Sequence, residues 1–546
     1  MSTTMPTTED ALGGPSLQST KVAGEVRNKQ LIKPATFDAT SAGLLALLVL
    51  AVSADRLGLG AGSLNLRTEL MAGGLAALIL LLRDWRACLR GWGLVDACLG
   101  GWLIVNLVSS LLFSPEIRES LKYVAILAGL LTIYLAARLL ITSEVALAWA
   151  TTLFIVLGAA AALAGLLCAL MYNIIGPNFG VLLERFYRDG VFVVTPKIQG
   201  VLWEPNIYGS FSLAVAVLAG SLALRRPTPA AEPFGNKESN LSRLAHGGLR
   251  SSPILSVAIA LGMSGVILSM TRTVWVIGPV LILLLAATAW KIKLASPRTI
   301  AMALLLPAML GSLIGLGVGA SLPAPQWKMG EPWDLTAAQV DDMVRARLFT
   351  NIAPAPQSDL QLSATPIATE QGSAPADRVG ELLNPGGAPS LSSRWRIYTD
   401  ALNGWLRRPI LGWGAGTFPY VYPPPPEGGT WIANAELHTL FDTGIVGLLL
   451  LAAAAFIAGR RALNTLRLPP ARWELNNYLT FGILFASLGL LAAFQITDGT
   501  WLGFTWLLLA MLVATGQKTG QPQSKGKPGS ISLQPPDTII PAAKQP

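Results

Sequence analysis

Blocks of about 20 apolar residues bounded by charge recur along most of the chain, and that is the length of a helix crossing the hydrocarbon core of a bilayer. In lipid the backbone must satisfy its own hydrogen bonds, so such blocks specify helices. Twelve are found: Ser41 to Ala54, Leu70 to Leu82, Gly93 to Phe113, Leu121 to Ala137, Val145 to Tyr172, Gly200 to Leu224, Pro253 to Met270, Val274 to Trp290, Ile300 to Leu322, Glu436 to Ala458, Leu475 to Phe494 and Thr500 to Thr515. The first two are short for a crossing, and a re-entrant hairpin in place of that pair leaves every later orientation unchanged. Composition agrees: 52% of residues are hydrophobic and 13% charged, whereas soluble domains carry about a quarter charged residues. An ordinary cytosolic enzyme and a disordered chain are both excluded. The expected fold class is an all-α polytopic membrane protein, with about 12 transmembrane helices and one long external loop containing an amphipathic helix.

The formal charge of +9 is spread between the apolar blocks rather than gathered on one face, so it reads as topology and not as affinity for nucleic acid. With a cytoplasmic N-terminus, 24 of the 40 Lys and Arg residues fall inside, and half of the other 16 sit in one long loop that the positive-inside rule discounts. Both termini are therefore expected in the cytoplasm. The first forty residues are polar with no short apolar core, which predicts no signal peptide. The expected organisation is a cytoplasmic tail (1–40), helices one to nine (41–322), a large external loop (323–433), helices ten to twelve (434–515) and a cytoplasmic tail (516–546). Within the loop, Asn351 to Ser390 is rich in Pro, Ala, Ser and Gln and is expected to be mobile. Leu391, Trp395, Tyr398, Leu402 and Trp405 then recur at helical spacing, predicting an interfacial helix capped by Ser390 and ended by Pro409. The Pro423 to Pro426 run reads as a rigid polyproline spacer.

Few residues invite chemistry. Cys88, Cys98 and Cys168 all lie in or beside apolar segments, with no disulfide framework and no thiolate cluster. His246 falls in a basic cytoplasmic loop. His438 lies at the mouth of the tenth block beside Asn434, Glu436 and Asp442, where a histidine serves either as a structural hydrogen-bonder or as a base. No second His or Cys stands at ligand spacing from it, so no metal and no cofactor is expected. Arg272 interrupts the apolar run from Ile254 to Trp290, either snorkelling to headgroups or facing inward to bind an anion. Asp96 and Asn106, in the third block, read as bundle glue or as part of a polar cavity. Pro409 to Phe418 (PILGWGAGTF) lacks the strand and the Lys-Ser or Lys-Thr of a phosphate loop, and reads better as a glycine turn approaching a lipid or sugar closely.

Four stretches together resemble the O-antigen ligase and polymerase-like family of bacterial membrane enzymes: Gly200 to Gly209 (GVLWEPNIYG), Leu268 to Trp275 (LSMTRTVW), Arg394 to Phe418, and Ala433 to Leu448 (ANAELHTLFDTGIVGL). The similarity runs from Gly200 to the end of the last block. It implies transfer of a glycan from a polyprenyl (undecaprenyl) diphosphate carrier to an acceptor hydroxyl of a glycan, lipid or protein. The reaction would take place on the external face of the plasma membrane, without a metal. Arg272 and Arg394 match the family arginines thought to hold the diphosphate, a role suited to forked, permanently charged guanidinium groups. Asn206, Asn434, Gly414 and Gly416, in the matching motifs, are the further substrate-binding candidates. A polymerase or a protein O-oligosaccharyltransferase of the same family, or a twelve-helix transporter, are the alternatives.

The sequence departs from the family at one point. Where the resemblance expects a histidine before Asn434, eleven residues ahead of Gly444, Ala433 stands instead. His438 follows five residues later, about 140 degrees round an ideal helix. Either His438 still reaches the site or Glu436 deprotonates the acceptor, a carboxylate that burial would make more basic.

Overall fold

The computed structural model describes residues 37–516 apart from 54–58, 62–63, 67, 84, 87–90, 176–179, 189–190, 203, 226–251, 323–325, 329–388 and 423–430. Both tails, Cys88, His246, the Pro423 to Pro426 run and most of the Asn351 to Ser390 stretch therefore lie outside the described residues.

Each predicted block is helical. The helices are α1 (Ala39–Ser53), α2 (Thr68–Leu82), α3 (Leu94–Phe113), α4 (Ile117–Leu140), α5 (Glu144–Ile175), α6 (Pro205–Ala223), α7 (Ser252–Leu268), α8 (Arg272–Lys291) and α9 (Pro297–Ser321). After the long loop come α10 (Pro389–Arg407), α11 (Ala435–Thr465), α12 (Leu475–Ala493) and α13 (Gly503–Thr515). Among the described residues eight helices, α3 to α6, α8, α9, α11 and α12, are long and apolar enough to cross a membrane, while α1, α2, α7 and α13 are apolar but shorter. The protein is a multi-pass membrane protein. Leu111, Leu112, Leu283, Met309, Leu313 and Phe456 are exposed large apolar side chains, as lipid-facing positions require.

Local chemistry sets several boundaries. Pro205 opens α6 at a position where a missing amide costs nothing. In α9 a π turn over Ala301–Leu305 comes just before Pro307, which has no amide to return to the preceding turn. α6 is the central helix, with every residue from Ile207 to Leu222 buried. It packs on α7 through small residues: a Cβ at Gly262 would lie 2.8 Å from the Ser212 carbonyl, and one at Gly311 on α9 would collide with the Ala260 carbonyl on α7. Away from the long loop, buried Asp96 pairs with Arg138 and accepts from the Tyr134 hydroxyl at 2.8 Å. Asn106 donates to its own helix at Trp102 (3.0 Å). Asp96 thus ties α3 to α4, whereas the Asn106 amide bonds back to its own helix.

The all-α expectation needs one correction. β3 (Val181–Arg188) and β4 (Val191–Ile198) form an antiparallel hairpin in full register, from Val181 opposite Ile198 to Arg188 opposite Val191, and β5 (Gln326–Lys328) pairs with β4. A second small pair joins β1 (Leu59–Ala61) to β2 (Leu64–Leu66).

The feature that organises the site is a break in α11. Gly444 has φ 63° and ψ −165° inside a segment that is otherwise helical, a conformation open essentially to glycine alone. The carbonyls and amides released there bond to the glycine-rich segment after α10. Trp413 and Gly414 donate to the carbonyls of Phe441 (3.0 Å) and Asp442 (2.9 Å), while Ile445 and Val446 donate to those of Pro409 (2.9 Å) and Ile410 (3.3 Å). Gly444→Ala is therefore expected to lower stability in detergent by at least the 1 to 3 kcal/mol of a forced backbone conformation, because its Cβ would also strike the Ile410 carbonyl. Gly459→Ala, in the same helix with nothing within 4 Å of its Cβ, is expected to be neutral or to gain up to about 1 kcal/mol. Thermal melting of the two variants checks the contrast.

Candidate active site at the loop end of the bundle

The loops after α3, α7 and α12, the helix α10 and the start of α11 meet at one end of the bundle. The segment 409–417 threads between α3, α4 and α11. Gly412, Gly414 and Gly416 have φ of 68°, 99° and 67°, and the space of a Cβ at Gly414 is taken by Ser110 (2.8 Å to Cα) and that at Gly416 by the Tyr123 ring. The close approach that the glycine spacing predicted is thus an approach to the protein itself. Ser120 donates to the Ala415 carbonyl (2.8 Å) and Ser110 accepts from the Ala415 amide (3.1 Å). Gly416 N–H donates to the Asp442 carboxylate at 2.9 Å.

α10 lies against α11 through Ile397, Ala401 and Gly404, which pack with Phe418, Ile432 and Phe441. A Cβ at Gly404 would sit 2.5 Å from the Phe441 ring, so small residues fix the packing face. Two large members of the predicted stripe turn away from it: Trp395 is 74% and Leu402 44% exposed, an arrangement suited to the membrane interface. The side chains of Ser390 and Leu391 are outside the described residues.

His438 is buried at the core of the site. Its Nδ1 meets the Asp498 carboxylate and its Nε2 lies 3.2 Å from Asp442 Oδ2. Trp501 Nε1 donates to the same Asp498 oxygen at 2.5 Å, and Trp431 and Trp501 flank the imidazole, with ring centroids 4.6 and 5.7 Å away. Burial opposes the charge on Asp498, but His438 and the Thr500 hydroxyl and amide outweigh it and hold this carboxyl below the usual carboxylate range. Asp442 Oδ1 is buried without a hydrogen bond. Asn434 is the N-cap of α11, accepting from the Leu437 amide at 2.7 Å and donating to the Gln495 carbonyl at 3.0 Å. Ala433 therefore precedes the helix, in extended chain, and its angular relation to His438 is not that of an ideal helix. Glu436 accepts from Gln495 Nε2 (2.6 Å) through one oxygen, and its other oxygen is buried without a partner.

The two arginines occupy the rim. Met270, with φ 52°, turns the chain between α7 and α8 and places Arg272 in the first turn of α8, where it is exposed. Among the described residues it has neither a hydrogen bond nor an ion pair. Its neighbour Thr271 donates to Asn206 Oδ1 at 2.9 Å, which ties this turn to the start of α6. Arg394 donates to the Ile496 carbonyl at 3.1 Å, and Tyr398 donates to the Ala433 carbonyl at 2.9 Å. Surrounding protein pushes the Glu204 carboxyl above the usual carboxylate range, against the pull of the Arg394 charge. Tyr398 is raised for the same reasons. Arg272, Arg394, Asn206, Asn434, Glu436 and His438 thus lie at one end of the bundle, whereas Gly414 and Gly416 lie within it. Sequence reasoning did not single out Glu204, Gln495, Asp498 or Trp501, and named Tyr398 as a member of the α10 stripe alone. A lone carboxylate in the short segment between α12 and α13 was the available signal for Asp498.

Apolar spanning helices, a broken helix closed by a glycine segment, and rim arginines beside a buried histidine together characterise the loop end of this membrane protein. Residues 257–452, from α7 into α11, match the family model described as O-antigen ligase. The match takes in Arg272, Arg394, the glycine segment, His438 and Gly444, and leaves Glu204, Asn206 and Asp498 outside it. No curated protein matches the chain.

Removing Asp498 takes away the buried carboxylate that His438 Nδ1 and Trp501 Nε1 share. Asp498→Ala is expected to cost about 3 to 5 kcal/mol of stability, as broken buried pairs do. Glu119→Gln, which loses a pair with partly exposed Lys122, is expected to cost less than about 1 kcal/mol. Melting temperatures in one detergent read both.

Proposed function

We propose that the protein transfers a glycan from a polyprenyl diphosphate-linked donor to an acceptor hydroxyl at the external face of the bacterial plasma membrane. Both termini are then cytoplasmic and the full count of spans is twelve. The observation that carries this reading is Arg272, an exposed guanidinium without a protein partner among the described residues. It stands on the first turn of a spanning helix, where the helix dipole and the free amides already favour an anion. Arg394 supplies the second cation, held over the site by Ile496. A diphosphate between them receives charge-assisted, bidentate bonds. Those bonds strengthen as the bond from the anomeric carbon to the phosphate oxygen breaks and negative charge collects on the departing polyprenyl diphosphate.

The other residues then divide by role. Asn434 and Asn206 fix the helix starts that frame the donor. His438, with a carboxylate on each ring nitrogen, ties α11 to the segment before α13, and Glu436 holds Gln495 beside Asn434. The glycine segment acts through shape, seating α10 so that Arg394 faces inward. The exposed apolar side of α10 lies in the outer headgroup layer, where the lipid-borne diphosphate is found.

In proteoliposomes carrying a native polyprenyl diphosphate glycan and an envelope acceptor fraction, Arg272→Ala and Arg394→Ala are each expected to lower transfer at least about 100-fold, with unchanged insertion. Arg396→Ala, exposed and directed away from the packing face, is expected to keep most of the activity. Equal behaviour of the three variants would refute the clamp.

A further inference from the structure

Glycan transfer needs a group to take the proton of the acceptor hydroxyl, and the residues nearest the buried histidine offer no open atom for it. Both nitrogens of His438 face carboxylates. Glu436 has one oxygen on Gln495 and the other buried, and Asp442 and Asp498 are themselves buried. We infer that Glu204 is the base of this site, a catalytic residue that accepts the proton of an acceptor hydroxyl seated between Arg394 and the Asn206–Thr271 pair. The inference rests on the glycan-transfer reading above.

Four observations support the assignment. Glu204 immediately precedes α6, the most enclosed helix of the bundle, so the backbone beneath it is rigid. Its side chain does not cap the helix, and among the described residues it has neither a hydrogen bond nor an ion pair. It is exposed, whereas His438, Asp442 and Asp498 are buried and Glu436 is half-buried. Two residues on, Asn206 accepts the bond from Thr271 that fixes the turn carrying Arg272, which places Glu204 on the same rim as the proposed clamp.

The electrostatics favour this role. Surrounding protein raises the Glu204 carboxyl, and Arg394 is the charged group that acts on it in return. When a diphosphate neutralises Arg394, that pull weakens, so the carboxylate becomes more basic as the donor arrives. Proton acceptance is thereby coupled to a loaded clamp. In the step itself the acceptor O–H bond breaks and its proton passes to Glu204. The oxygen forms a bond to the anomeric carbon, and the bond from that carbon to phosphate oxygen breaks, its electron pair leaving on the polyprenyl diphosphate. Glu204 then returns the proton to water.

The test uses the full-length protein in proteoliposomes with undecaprenyl diphosphate-linked glycan from the native host and a detergent-extracted envelope fraction as acceptor. Glu204→Gln is expected to lower kcat by about 10²- to 10⁴-fold, the usual worth of a positioned base, with the donor KM unchanged. Transfer by the parent is expected to fall as pH drops through the raised carboxylate range. Glu204→Asp should keep that acid limb and move it to lower pH, while Glu204→Gln should lack it. Arg394 from α10 is the charged group that acts on Glu204, Arg272 stands at the start of α8 beside the turn bonded to Asn206, and α6 itself carries no charged side chain. Transfer by Glu204→Gln within about fivefold of the parent, a drop confined to donor KM, or an acid limb unmoved in Glu204→Asp would overturn the assignment and leave glycan transfer standing. No transfer by the parent from a verified donor would instead strike the glycan-transfer reading, and this inference with it. The limb in Glu204→Asp decides the matter even where Glu204→Gln fails to fold.

Discussion

At bilayer depth a backbone amide or carbonyl has no water to turn to, and the break at Gly444 releases several of them about 14 Å along α11. Four backbone bonds with segment 409–417 satisfy them. The exchange is reciprocal, because the glycine segment has no secondary structure of its own and relies on α11 for the same bonds. Neither element holds this shape without the other. Since α10 runs directly into that segment, the position of Arg394 over the bundle is set by a break in a helix that begins forty residues later in sequence.

A discontinuous spanning helix is also a device of transporters, where the released backbone lines a cavity for substrate or ions. Here the gap is filled by protein. Asp442 shows how completely: its carbonyl accepts from Gly414, its carboxylate accepts from Gly416, and the same carboxylate faces His438. The break therefore serves to seat a loop. The site that results is layered, with a buried charged cluster beneath, held between aromatic rings, and cationic groups at the rim.

The spanning blocks were legible because lipid leaves the backbone few choices and apolar length is a direct signal. The hairpin at 181–198 was not, since it sits in a loop between two strong helical signals, although Asp189-Gly190 between its halves is a recognised hairpin dipeptide. The stripe on α10 was located correctly in sequence, yet its packing face is set by Ala401 and Gly404, small residues that a count of large apolar ones passes over. Arg272 stood out because a cation within an apolar run is costly, and Arg394 because its motif resembles that of the O-antigen ligase family. Asp498 and Glu204 did not, because each is a single carboxylate at a helix boundary, where such residues commonly have only capping roles.

The chain carries a net charge of +9, but at this end of the bundle what counts is which cations remain unmatched. Arg408 donates to the Phe113 carbonyl and stacks on Trp413 at 3.9 Å. His438 has two carboxylates to itself. Asp498 and Asp442 are thus spent on the buried histidine and cannot compensate the rim. Among the described residues Arg272 is left without a protein counter-ion, and Arg394 has a carbonyl bond and the influence of Glu204. An arginine clamp fully matched by protein carboxylates would have to break those pairs before it bound a diphosphate. Keeping the carboxylates on the buried histidine and apart from the guanidinium groups avoids that cost.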